Sequence, residues 1–201
     1  MVLKNLVLLL FITFSIQPLF FIPINSPDRK DFSKIQLTDI GKYGLIRKAR
    51  KTVPSHLHTG IDIKRPTNNY IDQPVYPIAK GLIISKRIDG PYAQLIIEHK
   101  INNKTIWTVY EHIAGITAKL NETVNPDKPI ARFMNKNELN KYGWQFDHFH
   151  LEILKIKPIR IKPDHLQPER LYNSYTLICF KQSDLEKYFF DPIEFLKENL
   201  H

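Results

Sequence analysis

The stretch Asp147-His148-Phe149-His150-Leu151-Glu152-Ile153 decides the fold. Polar and apolar residues alternate along it, which is the pattern of a β-strand, because side chains two positions apart share one face. His148 and His150 are therefore predicted to point to one side of the strand, and Phe149 and Leu151 to the other. Two neighbouring imidazoles need polar partners once they are buried, but together they suit the surroundings of a metal ion.

A second polar segment, His58-Thr-Gly-Ile-Asp62, offers an imidazole and a carboxylate with three residues between them. Two histidines and one carboxylate form a known ligand set for a catalytic zinc that keeps a fourth position for water. We predict that this segment and the pair His148 and His150 meet on one metal ion. The chain has no His-Glu-x-x-His motif, so the general base would be His112 or the histidine of the pair that does not bind the metal.

Length and charge narrow the class of protein. The chain has 201 residues, enough for one globular domain with a true core, and a formal net charge of +9. That charge indicates anionic surroundings, and nucleic acid, acidic lipid or a cell-wall polymer would each satisfy it. The densest basic group, Arg47 to Lys51, is short and has no helical stripe, so a nucleic-acid-binding surface is disfavoured.

The single cysteine, Cys179, excludes an intramolecular disulfide and a zinc cluster built on thiolates. It lies in the apolar run from Tyr175 to Phe180, which favours a strand with a buried and unreactive thiol. Histidine and carboxylate therefore remain the predicted metal donors.

The N-terminal residues indicate export. Lys4 precedes an apolar run that extends, with interruptions, to Ile22, as in a secretory signal peptide. The run also approaches the roughly 20 residues that span a bilayer, so an uncleaved membrane anchor is the alternative for residues 1–24. A linker is predicted for residues 25–34. A single domain is predicted for residues 35–201, with a core at 40–155 and an extension at 155–201.

Short strand-like runs dominate the predicted core. Gly81 to Ile88, Gln94 to His99 and Thr105 to His112 are separated by turn residues, which predicts an antiparallel meander. A short helix is predicted from Lys136 to Tyr142. A second is predicted at the C-terminus, where Asp191-Pro192-Ile193-Glu194 supplies an N-cap, a proline at the first helical position and a capping-box glutamate.

These motifs resemble the lysostaphin/LytM-type zinc endopeptidases of bacterial cell walls. That family has a His-x-Gly-x-Asp segment, a strand ending in Tyr-x-His and a closing His-x-His strand. Here they stand as His58-Thr-Gly-Ile-Asp62, Tyr110-Glu-His112 and His148-Phe-His150. The resemblance covers about residues 40 to 155 and implies a mainly β fold, an antiparallel sheet or sandwich with a few short helices.

The resemblance also implies the role of each site residue. It makes His58, Asp62 and His150 the ligands of one Zn2+ per chain, and His112 and His148 the catalytic histidines that do not bind metal. It leaves open which of these two is the general base. The implied function is hydrolysis of peptide bonds in peptidoglycan by an exported, monomeric protease of the periplasm, cell envelope or extracellular space, without nucleic acid as a partner.

Two segments depart from the family pattern. Residues 130–142 replace a glycine-rich approach to the last strand and would form a wall of the groove, so specificity could differ from that of familiar members. The insertion at 155–175 could cap the groove, bind a partner or cover the surface. The alternative function is a catalytically inactive wall-binding module that activates other hydrolases. Outside the motifs, His99 is predicted to be structural or at the groove rim.

Overall fold

The computed structural model describes residues 19–200. Within that range the helices are α1 (Lys136–Tyr142), α2 (Gln182–Tyr188) and α3 (Pro192–Asn199), and none is long and apolar enough to cross a bilayer. Single turns of 3-10 helix lie at Phe32–Lys34, Gly90–Tyr92, Trp144–Phe146 and Thr176–Ile178. The strands are β1 (Ile46–Arg47), β2 (His56–Leu57), β3 (Ile61–Lys64), β4 (Pro74–Val75), β5 (Gly81–Arg87), β6 (Gln94–Ile101), β7 (Lys104–Glu111), β8 (Ile113–Ala114), β9 (Thr123–Val124), β10 (Ala131–Phe133), β11 (His148–Leu154), β12 (Ile159–Arg160), β13 (Tyr172–Asn173) and β14 (Phe189–Phe190).

The largest sheet has seven strands, and every pairing in it is antiparallel. Its order is β14-β11-β7-β6-β5-β9, and β3 pairs with the first half of β11, on the same edge as β14. A smaller sheet has the order β4-β10-β8, and β1-β2 and β12-β13 form two-stranded ribbons. This arrangement confirms the predicted mainly antiparallel β fold, including the meander of β5, β6 and β7.

The core lies on both faces of the seven-stranded sheet. Phe149 of β11 belongs to the larger hydrophobic cluster together with Phe133 of the smaller sheet, so the two sheets pack as layers of a sandwich. Trp107 of β7 and Leu154 of β11 belong to a second cluster, which the C-terminal residues cover with side chains such as Leu185. The alternation that predicted β11 thus separates two buried layers.

The pairing of β3 with β11 places the two polar segments side by side. The register sets Asp62 directly opposite His150. Gly60 precedes β3, and a Cβ atom there would lie 2.2 Å from the carbonyl oxygen of Leu151, so a larger residue would push the loop away from the strand. The glycine therefore lets the loop that carries His58 approach β11 closely.

Both predicted helices are present. Helix α1 covers the predicted residues, and its N-cap Asn135 and Glu138 form a capping box. Helix α3 is capped by Asp191, whose carboxylate accepts from the backbone N–H of Ile193 at 2.9 Å. The predicted capping-box residue Glu194 instead accepts a hydrogen bond from the Lys197 ammonium.

Organised structure begins before residue 35 and includes residues 19–24, which fall within the predicted signal or anchor, whereas no residue of the predicted linker at 25–34 is buried. Phe20, Ile22 and Ile24 are at most 2% exposed and belong to the larger hydrophobic cluster. An apolar run satisfies a leader sequence and a buried strand equally well, and composition does not separate the two. Residues 1–18, where most of the predicted signal or anchor falls, lie outside the described residues.

Backbone hydrogen bonds fix this N-terminal segment, residues 19–24, against the start of the smaller sheet. The N–H of Phe21 donates to the carbonyl of Ile78 at 2.8 Å, and the N–H of Tyr76 donates to the carbonyl of Pro23 at 2.9 Å. Arg29 folds back over it and donates from Nε to the carbonyl of Ile22 at 3.0 Å. The segment is therefore an integral part of the domain.

The C-terminal extension forms the layer over the second cluster. Its ribbon β12-β13 is followed by a 3-10 turn, and then Cys179, Leu185 and Phe189 pack in the cluster, each fully buried. The predicted burial of Cys179 is confirmed, but the predicted strand is wrong. The run forms a single turn of 3-10 helix instead. Ile178 and Phe180 are about half exposed, because one turn cannot bury every apolar side chain of the run.

Candidate metal centre

The three predicted metal ligands meet at one point beside β3 and β11. His58 Nε2, Asp62 Oδ1 and His150 Nδ1 form a triangle with sides of 2.9 to 3.0 Å. All three residues are buried, with 4 to 5% of their surface exposed. Ligand atoms around a tetrahedral zinc lie roughly 3.3 Å apart, so a small outward shift would accommodate the ion. Within residues 19–200 this is the group of His, Cys, Asp and Glu side chains that could hold a metal.

The second ring nitrogen of each ligand histidine has its own acceptor. His58 Nδ1 lies 2.8 Å from the carbonyl oxygen of Lys42, which can only accept, so Nδ1 carries the hydrogen and Nε2 is free. His150 Nε2 lies 3.1 Å from Oε1 of Glu152, a fully buried carboxylate. Its Nδ1 then faces the other two ligand atoms and can bind a metal once it has lost its proton. Such hydrogen bonds fix the tautomer and orientation of metal-binding histidines.

The ligand carboxylate is held from its far side. Oδ2 of Asp62 accepts from Nη2 of Arg47 at 2.6 Å, and Oδ1 faces the two histidines. Burial alone would raise the pKa of Asp62, but the hydrogen bond from His150 and the positive charge of that ring hold its pKa well below the ordinary value. Asp62 is therefore ionised, with one oxygen available to a metal.

The two ligand histidines differ in proton affinity. Burial lowers the pKa of His58 despite the carboxylate of Asp62 beside it. Burial also opposes the charged form of His150, but hydrogen bonds to the carboxylates of Asp62 and Glu152 outweigh it and raise the pKa of His150 to about 10. Because a metal binds only the neutral imidazole, metal uptake near neutral pH displaces a proton from His150.

His112 lies at the end of β7 and faces the site without joining the triangle. Its φ of 62° is in the left-handed region, a conformation that non-glycine residues adopt rarely and often at functional sites. Its Nδ1 lies 2.5 Å from the carbonyl oxygen of Pro91, so Nδ1 carries the hydrogen and Nε2 is a free proton acceptor. Burial lowers the pKa of His112 to about 4, so the ring is neutral at pH 7.

His148 is the second histidine beside the triangle. Its Nε2 is 3.7 Å from Oδ1 of Asp62, too far for a hydrogen bond, and its ring packs edge-on against His112 with centroids 5.2 Å apart. Burial lowers its pKa to about 4. The preceding residue, Asp147, accepts from Nε of Arg65 at 2.8 Å, which anchors the start of β11.

Aromatic rings line the side of the site next to His112. Tyr92 and Phe146 contact that imidazole at centroid distances of 5.9 and 5.0 Å, and they contact each other edge-on. Tyr92 is 39% exposed, and Trp144, one turn before β11, is 49% exposed. Tyr92 and Phe146 therefore give the surroundings of His112 an apolar side.

Several residues of the site were not identified from the sequence. Arg47 was assigned to a basic surface group, yet it binds the ligand Asp62. Glu152 continues the alternation of the histidine pair along β11, which is a signal that could have identified it. Three hydroxyls bind the carboxylate of Glu152, from Thr59, Ser174 and Thr176. Nothing in the sequence links the last two to the site, because they lie in the extension.

Two other buried histidines lie outside the site, within the residues that the structure describes. His99 is fully buried, with Nδ1 2.9 Å from the carbonyl of Lys80 and Nε2 2.8 Å from Oγ1 of Thr108. These partners agree with the predicted structural role. His56 is also buried, and its Nδ1 lies 2.9 Å from the carbonyl of Pro54.

Comparison with known proteins gives a family and a fold. The model of peptidase family M23 matches residues 56–163, more than half of the chain. The antimicrobial peptidase lysostaphin from Staphylococcus simulans superposes with a TM-score of 0.50 and 17% identity, over 85% of this chain and 53% of lysostaphin. This likeness supports the lysostaphin-like fold.

Two further solved structures have lower TM-scores. A zinc-containing peptidase from Vibrio cholerae has a TM-score of 0.44 and 26% identity, over 68% of this chain and 37% of that protein. A mutant catalytic domain of EnpA, a prophage-encoded M23 protein from Enterococcus faecalis, has a TM-score of 0.44 and 21% identity, over 77% of this chain and 94% of that domain. The chain thus spans a third to a half of the Vibrio protein and lysostaphin. A comparison with curated proteins gives no match.

Proposed function

The chain belongs to peptidase family M23, and on this basis we propose that it is an exported zinc metalloendopeptidase that cleaves peptide bonds in the cross-links or bridges of peptidoglycan. The observation that carries the proposal is the triangle of His58 Nε2, Asp62 Oδ1 and His150 Nδ1, with two further histidines beside it. A purely structural cluster does not need two neutral imidazoles next to three convergent ligand atoms.

The donor set fits one zinc ion per chain. Two imidazole nitrogens and one carboxylate oxygen are among the ligand sets of catalytic zinc; Asp62 is ionised and His58 is neutral as binding requires, and His150 would give up one proton to the solvent. His58, Asp62 and His150 would hold the ion. When bound, zinc polarises the scissile carbonyl and lowers the pKa of a water molecule toward neutrality.

The two free histidines would then move protons and stabilise charge. His112 is the better placed general base, because its bond to Pro91 leaves Nε2 free to take a proton from the attacking water. His148, neutral at pH 7, can donate a hydrogen bond to the oxyanion that develops on the peptide carbonyl. Either imidazole can return the proton to the leaving amine.

Location and substrate class rest on the chain's charge and its N-terminus. The net charge of +9 favours attraction to an anionic wall polymer, and the apolar run after Lys4 favours export with or without a retained membrane anchor. Attraction of this kind weakens as salt screens the charges, so retention on purified cell walls should fall with added salt.

The test joins metal content to cleavage in the full chain. We expect about one zinc per chain by mass spectrometry after purification without added metal, together with release of new amines from purified peptidoglycan. The Asp62→Ala variant should lose both. Asp39→Ala is the matched control, since the Asp39 side chain is 98% exposed and pairs only with Lys64 at the surface.

Zinc binding without amine release in the folded wild-type chain would contradict the proposed catalysis and favour the inactive wall-binding module. Absence of zinc from a folded chain, even after incubation with zinc, would contradict the metal site itself. Amine release that survives in Asp62→Ala would contradict the assignment of Asp62 as a ligand.

A further inference from the structure

Glu152 is the most heavily hydrogen-bonded side chain next to the metal centre. It is 1% exposed, and its Oε1 accepts from Oγ1 of Thr59 at 2.5 Å and faces Nε2 of His150 at 3.1 Å. Oε1 also accepts from the hydroxyl of Thr176, and Oε2 accepts from the hydroxyl of Ser174. Both carboxylate oxygens are therefore fixed, by donors from three separate parts of the chain.

Two of these donors, Ser174 and Thr176, lie in the C-terminal extension. Hydrogen bonds attach the extension to the rest of the domain both before and after these two residues in the chain. Before them, Oγ of Ser85 accepts from the backbone N–H groups of Leu171 and Tyr172 at 2.9 and 3.1 Å. After them, the carbonyl of Cys179 accepts from the backbone N–H of Leu57 at 2.9 Å, in the strand that ends just before His58. The extension is therefore attached both to the large sheet and to the strand that precedes the first ligand.

The three hydroxyl oxygens also lie close to one another around this carboxylate. Oγ of Ser174 lies 3.1 Å from Oγ1 of Thr176, and Oγ1 of Thr176 lies 2.9 Å from Oγ1 of Thr59. Thr59 is the residue between the ligand His58 and Gly60, so one polar network joins the extension to both ligand-bearing segments. A glutamate has three rotatable side-chain bonds, and without these hydroxyls Glu152 would not be held in one conformation.

We propose that Ser174 and Thr176 are positioning residues of the metal centre. Acting through Glu152, they fix the ring of His150 so that Nδ1 faces the other two ligands. The extension is then a part of the metal site. This inference rests on the proposed zinc-dependent function, and it assigns a role to residues that touch neither the ligand triangle nor a substrate.

The competing explanation is that the hydroxyls only satisfy a buried carboxylate and so stabilise the fold. The two explanations differ in what depends on the hydroxyls. A stabilising role changes the unfolding temperature of the metal-free protein and leaves zinc affinity as it is. A positioning role changes the affinity of the folded protein for metal, because partners behind a ligand commonly contribute 10- to 100-fold in metal affinity.

The experiment measures zinc dissociation constants of the full chain by competition with a chromogenic chelator, for the wild type and for the double variant Ser174→Ala/Thr176→Val. Valine keeps the shape of threonine and removes the hydroxyl. We expect the dissociation constant of the double variant to rise about 10- to 100-fold. The absorption bands of bound Co2+ should also change, since they report ligand geometry. The conservative variant Thr176→Ser should restore the wild-type values, and Thr123→Val, on an exposed position of an edge strand, is the matched control.

Equal zinc dissociation constants and Co2+ spectra in the wild type and the folded double variant would overturn the inference and leave the proposed function standing. Failure of the wild type to bind zinc would overturn both. If the double variant does not fold, the single variant Ser174→Ala carries the test, with a smaller loss of affinity expected and an unchanged affinity counting against the inference.

Discussion

The ligand triad and the free histidine pair occupy one site but are built differently. Each triad residue is tied to a partner behind it: His58 to a backbone carbonyl, Asp62 to Arg47 and His150 to Glu152. Of the free pair, His112 has one such partner, whereas His148 is placed by ring packing against it.

The proton affinities differ in the same way. The triad contains an ionised carboxylate and a histidine whose pKa is raised, so it carries charge that a metal can replace or compensate. His112 and His148 both have pKa values lowered to about 4 by burial and are uncharged at pH 7. The contrast matches the proposed division of roles, in which one half of the site would hold a cation and the other half would exchange protons beside it.

The largest expected effect is removal of a triad histidine. His58→Ala should lose bound zinc and reduce peptide-bond cleavage to background, because two ligands cannot hold the ion in place. Zinc content and amine release measure this. The matched control is His56→Ala, a buried histidine two residues away whose ring bonds only to a backbone carbonyl. If His58→Ala retained one zinc per chain and full activity, the assignment of His58 to the ligand triad would be wrong.

Removal of His112 is expected to separate metal binding from catalysis. His112→Ala should keep about one zinc per chain and lose roughly 10²- to 10⁴-fold in kcat/KM, the usual contribution of a positioned general base. His165→Ala, at an exposed position of the extension, should behave as the wild type. If His112→Ala lost zinc instead, His112 would be needed for metal binding, like the residues of the ligand triad.

The pH dependence should separate the two groups again. A base with a lowered pKa works above that pKa, so in excess zinc we expect kcat/KM to persist below pH 6.5 and to fall toward pH 4. Without excess zinc, activity should fall at a higher pH, because protons compete for His150, whose pKa is raised. Profiles recorded with and without added zinc should therefore diverge in acid, and coincident profiles would contradict this order of titration.

The smallest expected effect on activity is at His99, which has a pKa lowered to about 4 by burial but lies in the core. We expect His99→Gln to keep zinc and to keep kcat/KM within about twofold, since a lowered pKa alone does not make a catalytic residue.

Substitution of His99 should instead change how the protein's free energy of unfolding depends on pH. The folded pKa of His99 lies below the unfolded value, so its contribution is present above pH 6.5 and is lost as pH falls toward 4, by at most about 3 kcal/mol in the wild type. Denaturant unfolding at several pH values should show a smaller acid loss in the variant. An equal loss of stability in acid for the wild type and for His99→Gln would show that groups other than His99 cause the acid sensitivity.

Local patterns predicted most of the sheet and the centre of the site. Alternation in β11 gave the shared face of His148 and His150, and the segment from His58 to Asp62 needed only the pairing of β3 with β11 to complete the triangle. Helix α1 was predictable because its N-cap Asn135 and its C-cap Gly143 directly flank it in the sequence. These features depend on near neighbours or on one strand pairing.

The features that were missed depend on distant contacts. Arg47 reaches Asp62 only after β1 pairs with β2, and Ser174 reaches Glu152 only after the extension packs on the second cluster. The burial of residues 19–24 was missed for a different reason, since their apolar side chains suit a leader and a core alike. Composition alone cannot show whether an apolar segment packs against other apolar side chains of the folded domain.

The packing of the N-terminal segment limits where this chain could be processed. Any protease that removes its apolar start would have to cut before Phe20 for the folded domain to keep its core. A cut after Ile24, where the predicted leader ends, would remove Phe20, Ile22 and Ile24 from the core, together with the bridge from Ile24 to Val75 and the hydrogen bond from Phe21 to Ile78. Each such buried side chain contributes roughly 1.5 to 3 kcal/mol, a large part of a typical domain's stability. The core would therefore limit any such cut to positions before Phe20.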